Sequence, residues 1–147
     1  MPIISFAFNK IDVEKKKAIE APLKVKTSIK ISSLKEEEIK KDLFLKFSFE
    51  YNVDYETNQG SVTLGGDLLY AGPRDELEKI YKEWKKTKKF SPEISKDVLN
   101  NIFIRCNVKA LFFEQEANLP PHIVLPRLQQ AAVNTAVKKG KAGDYIG

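Results

Sequence analysis

The chain has 147 residues, 42% hydrophobic and 10% aromatic, which suits one domain with its own core and is too apolar for a disordered segment. A single cysteine, Cys106, excludes an internal disulfide and reads as a small buried apolar residue in a reducing, cytoplasmic setting. The formal charge of +5 arises from 25 basic and 20 acidic residues that interleave, as in residues 35–41, so it reads as a solvated surface rather than a nucleic-acid face. The first residues lack the flank and apolar run of a signal peptide, and no stretch approaches the ~20 apolar residues that cross a bilayer. Neither secretion nor a membrane partner is expected.

The first half alternates with period two. Ile4, Phe6 and Phe8 alternate with Ser5, Ala7 and Asn9. Val25, Thr27, Ile29 and Ile31 alternate with Lys24, Lys26, Ser28 and Lys30, after an exposed crossing marked by Lys15, Lys16 and Lys17. The longest run puts Leu43, Leu45, Phe47, Phe49, Tyr51, Val53 and Tyr55 on one face, with Lys46, Ser48, Glu50, Asn52 and Asp54 on the other. One buried and one wet face point to an antiparallel sheet. Residues 56–60 carry turn chemistry, and 61–71 return as a hairpin partner. The Gly65–Gly66 pair in that strand predicts a bend, a bulge or a close approach of backbone.

The period then changes. Pro73 opens a helix with Asp75 and Glu76 in its first turn, and Leu77, Ile80, Tyr81 and Trp84 share one face of a helix ending near Lys89. Ser91 followed by Pro92 restarts a helix that should end near Ala117. Ile94, Val98, Ile102, Cys106 and Ala110 make one stripe on it. Leu99, Phe103, Ile104, Val108, Leu111, Phe112 and Phe113 widen the apolar surface beyond one face, as in a helix buried on two sides or lying at a subunit interface. Asn118, Leu119, Pro120 and Pro121 break it. A last helix is expected over residues 123–138, and 139–147 as a flexible tail outside a single domain of 1–138.

Catalytic and metal chemistry find little footing. One histidine, His122, and one cysteine cannot make a zinc site, and the Cys106/His122 pair lacks a glycine-rich nucleophile turn. Gly65–Gly66 matches no phosphate-binding pattern, and Glu93 with Asp97 reads as solvated helix surface. No enzyme, metal or cofactor is expected. Arg74, Lys79, Lys82, Lys85, Lys86, Lys88 and Lys89 surround Tyr81 and Trp84, a combination seen in single-strand binders. Both aromatics lie on the apolar stripe, however, and Asp75, Glu76, Glu78 and Glu83 dilute the charge.

In order, these segments resemble SecB, the cytosolic chaperone that holds preproteins unfolded for export. The resemblance is carried by residues 21–29 (APLKVKTSI), by the long 43–55 strand with VTLGGDLLYAG at 62–72, by the helix over 102–113, and by Asn118-Leu119-Pro120-Pro121 before the last helix. It implies an α+β fold, a four-stranded antiparallel sheet with helices packed on it, assembled as a homotetramer, a dimer of dimers with the long helices sandwiched between sheets. It also implies a groove for non-native polypeptides, lined by Val25, Thr27 and Ile29 from the second strand and by Val124 and Leu128 from the last helix. Three features depart from the family: a short first crossing without a tryptophan, a charged helix between Gly72 and Ser91, and Ser61 where an acidic residue is usual. The last, with the positive net charge, argues against docking of an export motor. The expected function is an ATP-independent holdase. A dedicated chaperone of one partner, such as an antitoxin, and a basic single-stranded nucleic-acid-binding module stand as alternatives.

Overall fold

The structure, a computed structural model, describes residues 3–20 and 24–124. Strands β1 (Ile3–Lys15), β2 (Val25–Ile39), β3 (Asp42–Tyr55) and β4 (Gly60–Tyr70) precede helices α1 (Arg74–Thr87) and α2 (Pro92–Glu116). The strands form one antiparallel sheet in the order β1-β4-β3-β2. This is the α+β arrangement expected from the change of period at Pro73. Both helices lie on the apolar face, α1 against β3 and β2, α2 against β4 and β1.

Burial follows position in the sheet. On central β3 every odd residue from Leu43 to Tyr55 is buried, and on β4 Val62, Leu64 and Leu68 are. The edge strands alternate less cleanly because bulges reset their parity. A register shift between Ile3 and Ser5 turns Ile3 toward the core and leaves Ile4 exposed, contrary to the simple alternation of Ile4, Phe6 and Phe8. β2 also runs beyond the segment read from its alternation. A shift between Ile31 and Ser33 puts Leu34 on the buried face, and the charged run that reads as solvated surface continues the strand to Ile39. Lys40 and Lys41, both at positive φ, then form the two-residue hairpin turn into β3.

The Gly65–Gly66 pair lies opposite the second bulge of β1, where Phe8 pairs with Gly66 and Lys10 with Gly65. A Cβ on Gly66 would overlap the Ala7 carbonyl oxygen and the Phe49 ring, so close backbone approach explains this glycine. The crossing from β1 to β2 is pinned by buried Gln59, whose carbonyl accepts from the Lys16 and Lys17 N–H groups and whose side-chain oxygen accepts from Glu20 N–H at 2.8 Å.

α1 buries Leu77 and half-buries Ile80, Tyr81 and Trp84. It ends at Lys88, in the left-handed conformation, whose N–H returns to Trp84 O. α2 starts as its sequence predicts: Ser91 Oγ accepts from Ile94 N–H, and Pro92 occupies the first turn. Its C-terminus is closed by Asn118 at positive φ. Leu119 N–H bonds to Glu114 O and Asn118 N–H to Gln115 O, the paired bonds of a Schellman stop, while the Leu119 side chain is buried. This stop decides where the following chain goes.

Candidate functional site

β2 is one edge of the sheet. On its inner face Val25, Thr27, Ile29 and Ile31 stand opposite Tyr55, Val53, Tyr51 and Phe49. Those four partners are buried, whereas Val25, Ile29 and Ile31 are half-buried and Thr27 is exposed. The two helices leave this part of the strand open. α2 lies over the far strands, and α1 reaches β2 near its other end, where Arg74 pairs with Glu38 at 3.4 Å.

The main chain of the same residues faces outward. Glu56 N–H donates to Lys24 O at 2.9 Å, which makes Val25–Tyr55 a non-hydrogen-bonded pair. Lys26, Ser28 and Lys30 therefore spend their N–H and C=O groups on β3. Val25, Thr27, Ile29 and Ile31 point theirs to the sheet's open edge, where no described segment bonds to them. One short stretch thus offers half-open apolar side chains and a row of backbone donors and acceptors unused among the described residues.

Beside it rises one flank of α2. Tyr51 is the cross-strand neighbour of Ile29, and its ring centroid lies 6.5 Å from that of Phe103, which is 42% exposed. α2 also carries a separate outward stripe of Ile104, Val108 and Phe112, 54–67% exposed. The helix is therefore apolar on two sides: one face lies on the sheet and the other is in solvent, among the described residues.

Under this surface lies a buried polar cluster. Glu114 continues the buried stripe Val98, Ile102, Cys106, Ala110 of α2. The side chains of His122 and Glu114 are 0% and 1% exposed, with Nδ1 and Oε2 2.6 Å apart. Those two atoms have no other partner. His122 N–H donates to Glu114 Oε1 at 3.0 Å. Tyr51 O–H donates to Asn107 Oδ1 at 2.6 Å, and His122 Nε2 lies 2.8 Å from the Tyr51 hydroxyl and 2.9 Å from Asn107 Oδ1. Tyr55 O–H donates to the Pro120 carbonyl. Burial, followed by the charge of Glu114, holds the Tyr51 and Tyr55 hydroxyls well above the usual phenol range. Burial alone pushes the Cys106 thiol up to about 12, so it stays a neutral core group.

Of the expected groove residues, Val25, Thr27 and Ile29 share one open face. Val124 is 93% exposed, and Leu128 lies outside the described residues, as do residues 125–138 of the expected last helix and the 139–147 tail. Ile123 and Val124 are not helical, so that helix does not begin at Ile123. Pro120 and Pro121 supply no N–H groups, and His122 gives its N–H to a side chain rather than to a helical carbonyl. Sequence reasoning missed the Glu114–His122 cluster. Its signal was a carboxylate falling on the apolar stripe one helical step past Ala110.

The α1 lysines offer no stacking platform. Lys88 Nζ sits 3.8 Å from the Trp84 ring centroid and Lys85 Nζ 5.3 Å from that of Tyr81, and both rings pack against the core. Among the described residues, no group of three or more His, Cys, Asp or Glu side chains is placed to hold a metal ion, and no helix is long and apolar enough to cross a membrane.

No family model matches the chain, and no curated protein matches it in sequence. Among solved structures it is similar to the Mycobacterium tuberculosis Rv1957 SecB-like chaperone in complex with a ChAD peptide from the Rv1956 HigA1 antitoxin, at 10% identity and a TM-score of 0.50, over 87% of this chain and 90% of that one. At that identity the likeness speaks to architecture: the fold of this chain is SecB-like.

Proposed function

We propose that this protein is a non-catalytic, ATP-independent holdase that grips non-native polypeptides along the open half of β2. The observation that carries the reading is the coincidence, along Val25, Thr27, Ile29 and Ile31, of half-open Val25, Ile29 and Ile31 side chains with main-chain groups that no described segment pairs. An extended client segment could lie on this edge as an added strand. Its backbone would bond to these groups whatever its sequence, and its alternate apolar side chains would meet Ile29, Tyr51 and Phe103.

The energetics favour a promiscuous grip. Burying one client Leu or Phe yields ~1.5–3 kcal/mol, while ordering each client residue costs ~1–2 kcal/mol of backbone entropy. A single site holds weakly, and several sites on one assembly hold tightly. The outward stripe of α2 supplies a surface for such an assembly, a homotetramer built as a dimer of dimers. A folded protein hides its apolar segments, so the unfolded form is selected. The reading needs no cofactor and no nucleotide, places the protein in the cytoplasm, and takes protein export as one setting for the activity, without the usual acidic docking surface for a motor.

A narrower version has support of its own: the solved neighbour holds a peptide from an antitoxin, so this chain could serve one dedicated partner. Both versions are tested by light scattering during aggregation of a reduced, unfolded protein without nucleotide. Suppression at equimolar oligomer supports the general holdase. Suppression limited to one native partner supports the dedicated form, and none with any client rejects both.

A further inference from the structure

We propose that His122, tied to Glu114 and Tyr51, is a positioning residue that holds the chain leaving α2 in register with the client edge of the sheet. The role it serves rests on the holdase reading; the tether itself stands on geometry.

Glu114 is held three times over. Its backbone carbonyl takes the Leu119 N–H at 2.7 Å and so closes α2. One carboxylate oxygen takes the His122 N–H at 3.0 Å, and the other lies 2.6 Å from Nδ1. The far side of the ring reaches Asn107 Oδ1 on α2 and the Tyr51 hydroxyl on β3, both within 3.0 Å. A six-residue excursion from Leu119 to Val124 is thereby fixed to a helix and to the sheet at once, with Tyr55 adding a bond to Pro120 O.

Tyr51 links this tether to the client surface. Tyr51 pairs with Ile29 across the strands and its ring centroid lies 6.5 Å from that of Phe103, while its hydroxyl belongs to the buried cluster. A shift of His122 therefore moves both the floor of the open edge and the exit of the chain, where Ile123 and Val124 face solvent. Polar pairs this deeply buried add little net stability compared with apolar replacements, but they specify one arrangement, and removing one partner leaves the other unpaired. That asymmetry separates positioning from mere structure.

The test compares wild type, E114Q and the double variant E114L/H122F by amide hydrogen exchange, thermal unfolding and affinity for a fluorophore-labelled, reduced and carboxymethylated unfolded protein. E114Q should speed exchange at the bonded amides of Leu119 and His122 about 10-fold or more, leave β3 amides unchanged, and weaken the probe about 5-fold or more. The double variant should regain thermal stability without regaining affinity. Affinity that recovers together with stability, or exchange at Leu119 and His122 that E114Q leaves unchanged, would overturn the proposal. A wild-type protein that ignores the probe ends the holdase reading instead, while exchange still decides the tether.

Discussion

Proline placed at two adjacent positions of β2 should give opposite results. Thr27 directs its N–H to the open edge and its side chain is exposed, so Thr27→Pro removes no bond among the described residues. Lys26 before it is already extended, as a residue preceding proline prefers. Ser28, paired with Asn52, turns its N–H toward β3, so Ser28→Pro breaks the ladder and forces the strands apart. The expected cost at Ser28 is about 2–3 kcal/mol of stability. At roughly 2–4 °C per kcal/mol for a chain of this size, its melting temperature should fall by about 5–10 °C. Thr27→Pro should stay within about 1 kcal/mol of wild type yet lose the client bond to that N–H and block neighbouring ones with its ring. A loss of about 1–3 kcal/mol in binding is a roughly 5- to 150-fold weaker Kd. Thermal denaturation and fluorescence anisotropy with a labelled unfolded client measure the two quantities. If Thr27→Pro unfolds the protein as readily as Ser28→Pro, the assigned parity is wrong; if it binds the client at full strength, clients do not add as strands.

Three further outcomes follow from other parts of the structure. Ile104→Glu with Val108→Glu places two carboxylates on the outward stripe of α2 and should weaken self-association about 100-fold or more with an unchanged circular dichroism spectrum; an unchanged mass by light scattering would show that this stripe joins no subunits. The Cys106 thiol, pushed up to about 12 from 9.0, ionises later in the folded protein than in the unfolded chain, so stability drains away as pH rises from about 9 towards 12. By pH ~10.5 the thiol alone accounts for about 2 kcal/mol, with Tyr51 and Tyr55 acting in the same sense, and Cys106→Ala should flatten that decline in urea midpoints. Gly66→Ala drives a methyl group into the Ala7 carbonyl and the Phe49 ring and should cost about 2 kcal/mol or more in chemical denaturation, whereas Gly65→Ala, with its nearest neighbour the Lys10 side chain, should cost less.

Much of the architecture was legible because central strands obey simple rules. β3 has a neighbour on each side and helices above it, so its sequence alternates without a break and its burial repeats that alternation. The start of α2 was legible for a similar reason: Ser91 and Pro92 act locally, without help from the rest of the fold. The edges were harder. One extra residue near Ile4 and another near Ser32 exchange the two faces of a strand, and nothing in the local composition marks the exchange. The second half of β2 is mostly lysine and glutamate because an edge strand leaves much of its surface in water, and those residues read only as solvated surface. Val25, Thr27 and Ile29 were placed on one face correctly. Their outward backbone could not be read, since it depends on the pairing register, fixed where Glu56, just past β3, bonds to Lys24. Glu114 was missed for the opposite reason. Its chemistry suggests solvent, and only its place in the stripe of Val98, Ile102, Cys106 and Ala110 reveals burial.

The two apolar surfaces left open among the described residues differ in what they can recognise. Ile104, Val108 and Phe112 project from a helix whose backbone bonds are internally satisfied, so that stripe can only match shape against shape. Such matching rewards one fixed partner with a complementary face, and a second copy of the same helix meets that need. The first half of β2 offers peptide groups as well, and peptide groups are common to every polypeptide. A surface that takes part of its affinity from them tolerates many sequences and demands only an extended chain with apolar side chains at alternate positions. Native proteins rarely present such a chain, whereas unfolded ones do so often. If both surfaces served self-association, the sheet edge would be covered in the assembled protein, and Thr27→Pro would change the mass of the particle rather than its hold on a client. Measuring mass and affinity on that one variant therefore separates a subunit contact at β2 from a client site there.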